Sequence, residues 1–88
     1  MKVEFLAHFS KDLDKIRFSH VKQSVQRIIL KVESAESISE IPNLKKLSGH
    51  KSAYRIRTGD YRIGIFVEGK TVEFARIVHR KDIYNLFP

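Results

Sequence analysis

Arg55, Arg57 and Arg62 recur at strand spacing within Tyr54–Tyr84, YRIRTGDYRIGIFVEGKTVEFARIVHRKDIY, a stretch that closes on His79, Arg80 and Tyr84. A guanidinium stays charged and grips phosphate oxygens through a two-pronged fork. Three of them on one sheet face would hold a backbone phosphate and stabilise the extra charge of a pentacovalent transition state. An imidazole such as that of His79 can move a proton near neutral pH. Tyr84 follows Arg80 by four residues, so on a helical turn the two point the same way. A phenol beside fixed positive charge is a candidate base. These residue types, in this pattern, point to phosphodiester chemistry. Each also has a plainer reading: a solvated sheet face, a strand-end histidine bonded to a carbonyl, an aromatic closing the sheet. Gly64 lies among the arginines, and its missing side chain would let a ligand approach the backbone.

Other chemistries find little support in the chain. There is no cysteine, which excludes disulfides, thiolate nucleophiles and Cys-ligated zinc. His8, His20 and His50 show no metal-ligand spacing with one another or with a carboxylate. The pairs Asp12/Asp14 and Glu33/Glu36 read as solvated helix charges. Gly59, Gly64 and Gly69 are turn and strand glycines and form no phosphate-cradling loop. No metal and no cofactor are therefore expected. The amino-terminal MKVEFLAHFSKDL lacks the apolar core of a signal peptide, and no apolar run is long enough to span a bilayer. The expectation is a soluble, cytoplasmic protein with no membrane association.

The chain has 88 residues, enough for one domain over 1–88. Its formal net charge is +7, and the placement is uneven. Residues 1–44 carry seven Lys/Arg against six Asp/Glu, whereas residues 45–88 carry ten against four. An excess confined to one half points to a polyanion or an acidic protein partner.

The positioning elements follow from periodicity. Met1 to Phe9 alternates around Val3, Phe5 and Ala7 and predicts a strand. Ser10 is a candidate cap for a short helix over Lys11 to Phe18, and Ser19 for a longer one. In the second helix Val21, Val25, Ile28, Ile29 and Val32 form one apolar stripe at helical period. Pro42 keeps the Ser34–Ser48 connector irregular, with Ile38, Ile41, Leu44 and Leu47 pinning it to the core. Strands over Ser52–Arg57, Tyr61–Val67 and Thr71–Val78 are joined by tight Gly-containing turns and form an antiparallel meander. Tyr61, Ile63, Ile65 and Val67 share its buried face, and Arg62, Gly64 and Phe66 the other. In the last strand Val72 and Phe74 favour one parity and Ala75 and Ile77 the other, which a bulge between them would reconcile. Asp82 is placed to cap a final turn containing Ile83, Tyr84 and Leu86. The fold class is α+β: a small antiparallel sheet with an amino-terminal helical hairpin packed on one face. The arginines lie on the other, open face.

With these residues in place the chain resembles the RelE/ParE superfamily of toxins from type II toxin–antitoxin systems. The likeness is carried by KKL-G at Lys45–Gly49, YRIRTGDYRIGIFVE at Tyr54–Glu68, HRKDIY at His79–Tyr84 and the F-KDL-K pattern at Phe9–Lys15. It implies a small RelE-like sheet with a helical hairpin. RelE-like members cut messenger RNA in the ribosomal A site through attack by the RNA's own 2′-hydroxyl, without a metal. By position the resemblance matches Arg62 and Arg80 to family arginines and Arg55 to a position where the family often has a lysine. The expected roles are then Arg62 and Arg80 on the scissile phosphate, Arg57 and Arg55 assisting, and Tyr84 or His79 in proton transfer. Lys45, Lys46 and Lys51 become candidates for RNA or ribosome contact. A sheet lysine of the family falls on Ala53 here, with Lys51 a possible substitute. The implied partners are the ribosome, mRNA and an acidic, partly disordered cognate antitoxin, in a toxin–antitoxin hetero-oligomer. The alternatives are a ParE-like inhibitor of DNA gyrase and a catalytically inactive homologue that only binds antitoxin.

Overall fold

The alternating second half forms, in a computed structural model describing residues 1–88, the centre of a five-stranded sheet. The strands are β1 (Lys2–Phe5), β2 (Leu44–Lys46), β3 (Ala53–Thr58), β4 (Tyr61–Glu68) and β5 (Thr71–His79). The helices are α1 (Ala7–Lys15), α2 (Ser19–Ser34) and α3 (Ile83–Leu86), with a 3-10 turn at Ile38–Glu40. The sheet order is β1-β5-β4-β3-β2. Strands β3 to β5 pair antiparallel, as expected; β2 adds antiparallel to β3, and β1 runs parallel to β5. Alternation identifies a strand without giving its direction, and the α1–α2 hairpin supplies the long crossover that a parallel pair needs. Strand β2 lies in the segment read as irregular connector. It is three residues long and lies beyond Pro42, so neither its length nor its composition marks it.

Both central hairpins use two-residue loops whose first residue is a glycine at positive φ, Gly59 and Gly69, each at 59°. Glycine alone enters that region without steric cost, which fixes the register of β3–β4 and β4–β5. The conflict of parity in β5 is a bulge: Gly64 lies opposite Arg76 and Ile65 opposite Phe74, leaving Ala75 as the extra residue. Phe74 and Ala75 are both buried, and they belong to different apolar clusters.

The larger cluster lies between sheet and helices, around Phe9, Val25, Val32, Ile56, Ile63, Ile65, Val72, Phe74 and Ile77. Full burial of side chains this size stabilises by about 1.5–3 kcal/mol each. Phe9 also explains where α1 starts. Leu6 still pairs with Phe74 through its N–H, and its carbonyl accepts from the N–H groups of Phe9 and Ser10. The helix therefore begins at Ala7 to bring Phe9 into the core. Ser10 falls inside it and caps nothing, and Ser19 is the first residue of α2, whose N-cap Phe18 has no side-chain cap.

A second cluster lies on the opposite side of the sheet. Leu47, Ala53, Ala75, Ile83 and Phe87 are buried there, with Leu6, Phe66 and Val78 packed against them. That face is therefore not open along its length, contrary to the expectation from sequence: α3 and Phe87 cover part of it. Asp12 also departs from expectation. It is buried, and its carboxylate accepts from Arg76 Nε at 2.7 Å, Arg76 Nη2 at 3.2 Å and the Ile77 N–H at 3.1 Å. A carboxylate with that many partners is a staple between α1 and β5, not a solvated helix charge.

Candidate functional site

The uncovered part of the second face carries the arginines. Arg57 on β3 lies directly opposite Arg62 on β4. Arg55, two residues back, lies opposite Gly64 and, on its other side, Lys45 of β2. Like charges facing each other across a strand pair repel, so the arrangement needs something to hold it. Arg62 Nη1 donates to the carbonyls of Gly59 and Tyr61, both at 2.9 Å, which fixes the guanidinium against the β3–β4 turn. Asn43 holds the other two. Its carbonyl accepts from Arg55 Nη1 at 3.2 Å, and its side-chain oxygen lies 3.5 Å from Arg57 Nη2. Asn43 has φ 63°, a left-handed conformation that asparagine tolerates better than most residues.

None of Arg55, Arg57, Arg62 and Arg80 forms a salt bridge. The pKa of Arg62 is lowered, first by desolvation, then by the positive charges of Arg55, Arg57 and Arg80, while the neighbouring Tyr84 phenol acts in the opposite sense. Arg62 is thus within electrostatic reach of the other three arginines and of Tyr84. Tyr84 itself is 65% exposed. Arg55 Nε is buried and has no hydrogen-bond partner, an arrangement that costs stability unless a further group completes it.

His79 lies elsewhere. It pairs across the strands with Tyr61, their rings 5.9 Å apart, and Tyr61 packs against the helix-side cluster. Its Nδ1 accepts from the Lys81 N–H at 3.2 Å. The alternation of β5 places it on the face opposite Arg62, whose cross-strand partner is Val78. The His79–Arg80 pair that looked like one unit in the sequence is split between two faces.

Lys45, Lys46 and Lys51 border two adjoining grooves beside the arginines. One, of about 350 Å³, is lined by Lys45, Lys46, His50 and Tyr84, and the other, of about 460 Å³, by Lys46, His50 and Lys51. Lys45 shares the rung of Arg55, whereas Lys46 pairs with Tyr54, on the alternate face. Ala53 is buried in the second cluster, so no charge is placed at that position. Gly64 is not an opening for a ligand. A Cβ there would lie 2.6 Å from ring atoms of Phe87, and that ring fills the space. Sequence reasoning missed Asn43 and Phe87. Asn43 carries a signal, an asparagine after proline at a chain reversal; Phe87, near the carboxyl end of the chain, carries none.

Residues 3–84 match the family described as ParE toxin of type II toxin-antitoxin system, parDE. Toxin RelE3 of Methanocaldococcus jannaschii is 42% identical over 89 residues, covering 100% of each chain. The chain belongs to the RelE/ParE family of toxins. The toxin of the RelB-RelE antitoxin-toxin complex from Methanococcus jannaschii superposes with a TM-score of 0.81 at 38% identity, over 97% of this chain and 99% of that one. The archaeal RelE-RelB complex from Pyrococcus horikoshii gives 0.67 at 21% identity, over 93% and 97%, and bears on the fold alone. The RelE-like sheet with helices packed on it is thereby shown for this chain. No helix is long and apolar enough to cross a membrane.

Proposed function

We propose that this RelE/ParE-family toxin is a ribosome-dependent endoribonuclease that cleaves messenger RNA at the Arg62 cluster. The observation that carries the reading is a group of four guanidinium side chains without a carboxylate partner, gathered around Arg62 and beside an exposed tyrosine. Uncompensated positive charge is costly in a folded protein and suits a site completed by an anionic ligand. A phosphodiester supplies that anion. In the reaction the 2′-oxygen of the RNA attacks the adjacent phosphorus, the bond from phosphorus to the 5′-oxygen breaks, and a 2′,3′-cyclic phosphate remains on the upstream fragment. Arg62 and Arg80 hold the non-bridging oxygens and stabilise the charge that builds on them. Arg55 and Arg57 assist. Tyr84 takes part in transfer of the 2′-hydroxyl proton to the leaving oxygen; His79, on the opposite face, does not. Lys45, Lys46 and Lys51 contact the phosphates of mRNA or ribosomal RNA, which makes binding weaken with salt.

The partner that restrains this activity is an acidic, partly disordered antitoxin. The structurally matched relative at 38% identity comes from a RelB-RelE antitoxin-toxin complex, and the charge of this chain is complementary to an acidic segment that folds on binding. The deciding experiment is brief expression, or addition to a translating extract, with mapping of mRNA ends. The expected result is cleavage that needs translation and is lost in Arg62→Ala. Intact mRNA together with inhibited gyrase supercoiling would select the gyrase-directed alternative that the resemblance to ParE-like members implies. Antitoxin binding with neither effect would select the inactive homologue.

A further inference from the structure

We infer that Gly64 and Phe87 form a seat that sets Tyr84 beside Arg62, which makes Phe87 a positioning residue for the cleavage reaction; the inference rests on the role proposed above for Tyr84. Helix α3 has only four residues, and a helix that short has no stability of its own. Its hold on the sheet comes from the two residues flanking Tyr84 that are buried, Ile83 at 1% and Phe87 at 3% exposure. They are four apart, and the Phe87 N–H donates to the Ile83 carbonyl at 2.8 Å, so both face the sheet while Tyr84 projects from the turn between them.

The seat is specific to glycine. Gly64 has no positive φ that would require it, and its neighbours in β4 have ordinary side chains. What requires glycine is the Phe87 ring, which lies 2.6–2.8 Å from where a Cβ would be. Such a distance is far inside van der Waals contact. Phe66, two residues along the same face, lies with its ring centroid 5.0 Å from that of Phe87 and closes the seat from one side. On the other side the same face continues to Arg62, two residues before Gly64, or about 7 Å along the strand. The ring of Phe87 thus rests on the same face as Arg62, one side-chain repeat along the strand from it. With Ile83, the Phe87 ring on Gly64 is one of the two buried points at which this segment meets the sheet, and Tyr84 projects from the turn between them.

The test combines a structural and a catalytic measurement on the full-length toxin. In Gly64→Ala the new methyl expels the ring; in Phe87→Ala the ring is absent. In both, hydrogen exchange at the Asn85, Leu86 and Phe87 amides should accelerate by about tenfold or more while β4 and β5 stay protected. Cleavage should lose about a hundredfold in kcat at unchanged KM, the scale of a displacement near 1 Å. In a Tyr84→Phe background the same substitutions should cost nothing further. Should Gly64→Ala fail to fold, Phe87→Ala carries both measurements. Unaltered exchange in α3 overturns the inference, and so does an equal loss of kcat with and without the Tyr84 hydroxyl. Accelerated exchange with full activity also overturns it. If wild-type protein cleaves no RNA, the proposed function fails, and the exchange measurement alone then decides whether the seat holds α3.

Discussion

Arg76 and Arg62 lie close together on adjacent strands, yet the protein treats them in opposite ways. Arg76 is half-buried and locked to Asp12 by two hydrogen bonds, while the same carboxylate also takes the Ile77 N–H. Arg62 has two backbone carbonyls and three arginines for neighbours, and no acid. The first arrangement is closed: every charge has its counter-charge, and the product is a fixed angle between α1 and β5. The second is open: the carbonyls orient the guanidinium but do not neutralise it. An arginine supplied with a carboxylate serves the fold. One held in position, and left without a carboxylate, is available to an anion from outside.

The comparison breaks most visibly at Arg62. Replacing it with alanine should reduce translation-dependent cleavage by about 10²–10³-fold, the range found for removal of one donor to a developing oxyanion. The thermal midpoint should change little, because the side chain makes only two backbone hydrogen bonds. Lysine at the same position keeps the charge without the fork, and should recover part of the activity. An Arg62→Ala protein that still cleaves at the wild-type rate would remove the assigned site.

Asp12 gives the converse. Asp12→Ala strands the Arg76 guanidinium and the Ile77 N–H, and breaking a buried pair in this way costs about 3–5 kcal/mol. Urea denaturation should record that loss, while cleavage per folded molecule stays close to wild type. A double replacement, Asp12→Leu with Arg76→Met, should recover most of the stability, since apolar residues of similar volume often match or exceed a buried pair. If Asp12→Ala instead abolished cleavage without affecting stability, the division between a structural and a functional arginine would be wrong.

The division was only half legible in the sequence. Alternation in Tyr54–Val67 placed Arg55, Arg57 and Arg62 on one face and Ile56, Ile63 and Ile65 on the other, because a side-chain period of two is a local property. The bulge at Ala75 was legible for the same reason, as a change of parity within one strand. What was not legible depends on distant partners. Asp12 and Arg76 are 64 residues apart, and nothing local in either segment distinguishes a buried carboxylate from a solvated one. Gly64 was read with the wrong cause, since the ring that requires it comes from Phe87, near the carboxyl end. His79 and Arg80 are adjacent in the chain, and only the pairing of His79 with Tyr61 assigns them to different faces.

The smallest expected effect sharpens the comparison where it is least obvious, in the stability of the open cluster itself. Arg57 and Arg62 are direct cross-strand neighbours, and such like-charged pairs destabilise by about 0.2–1 kcal/mol. Arg57 is exposed, and its only side-chain hydrogen bond is a 3.5 Å contact with Asn43, so little is lost when it is replaced. Arg57→Gln should therefore raise the urea midpoint at low ionic strength. The sign follows from Arg62: its lowered pKa means that its charged form is disfavoured where it sits, partly by Arg57, so removing that charge favours the fold. The gain should shrink as added salt screens the pair. Cleavage by the same variant should fall by about tenfold, a modest loss for an assisting contact. A protein that becomes more stable and less active on losing one arginine carries that charge for its ligand. If Arg57→Gln were instead destabilised at every salt concentration, its bond to Asn43 would matter more than the repulsion, and Arg57 would belong with Arg76 among the arginines of the fold.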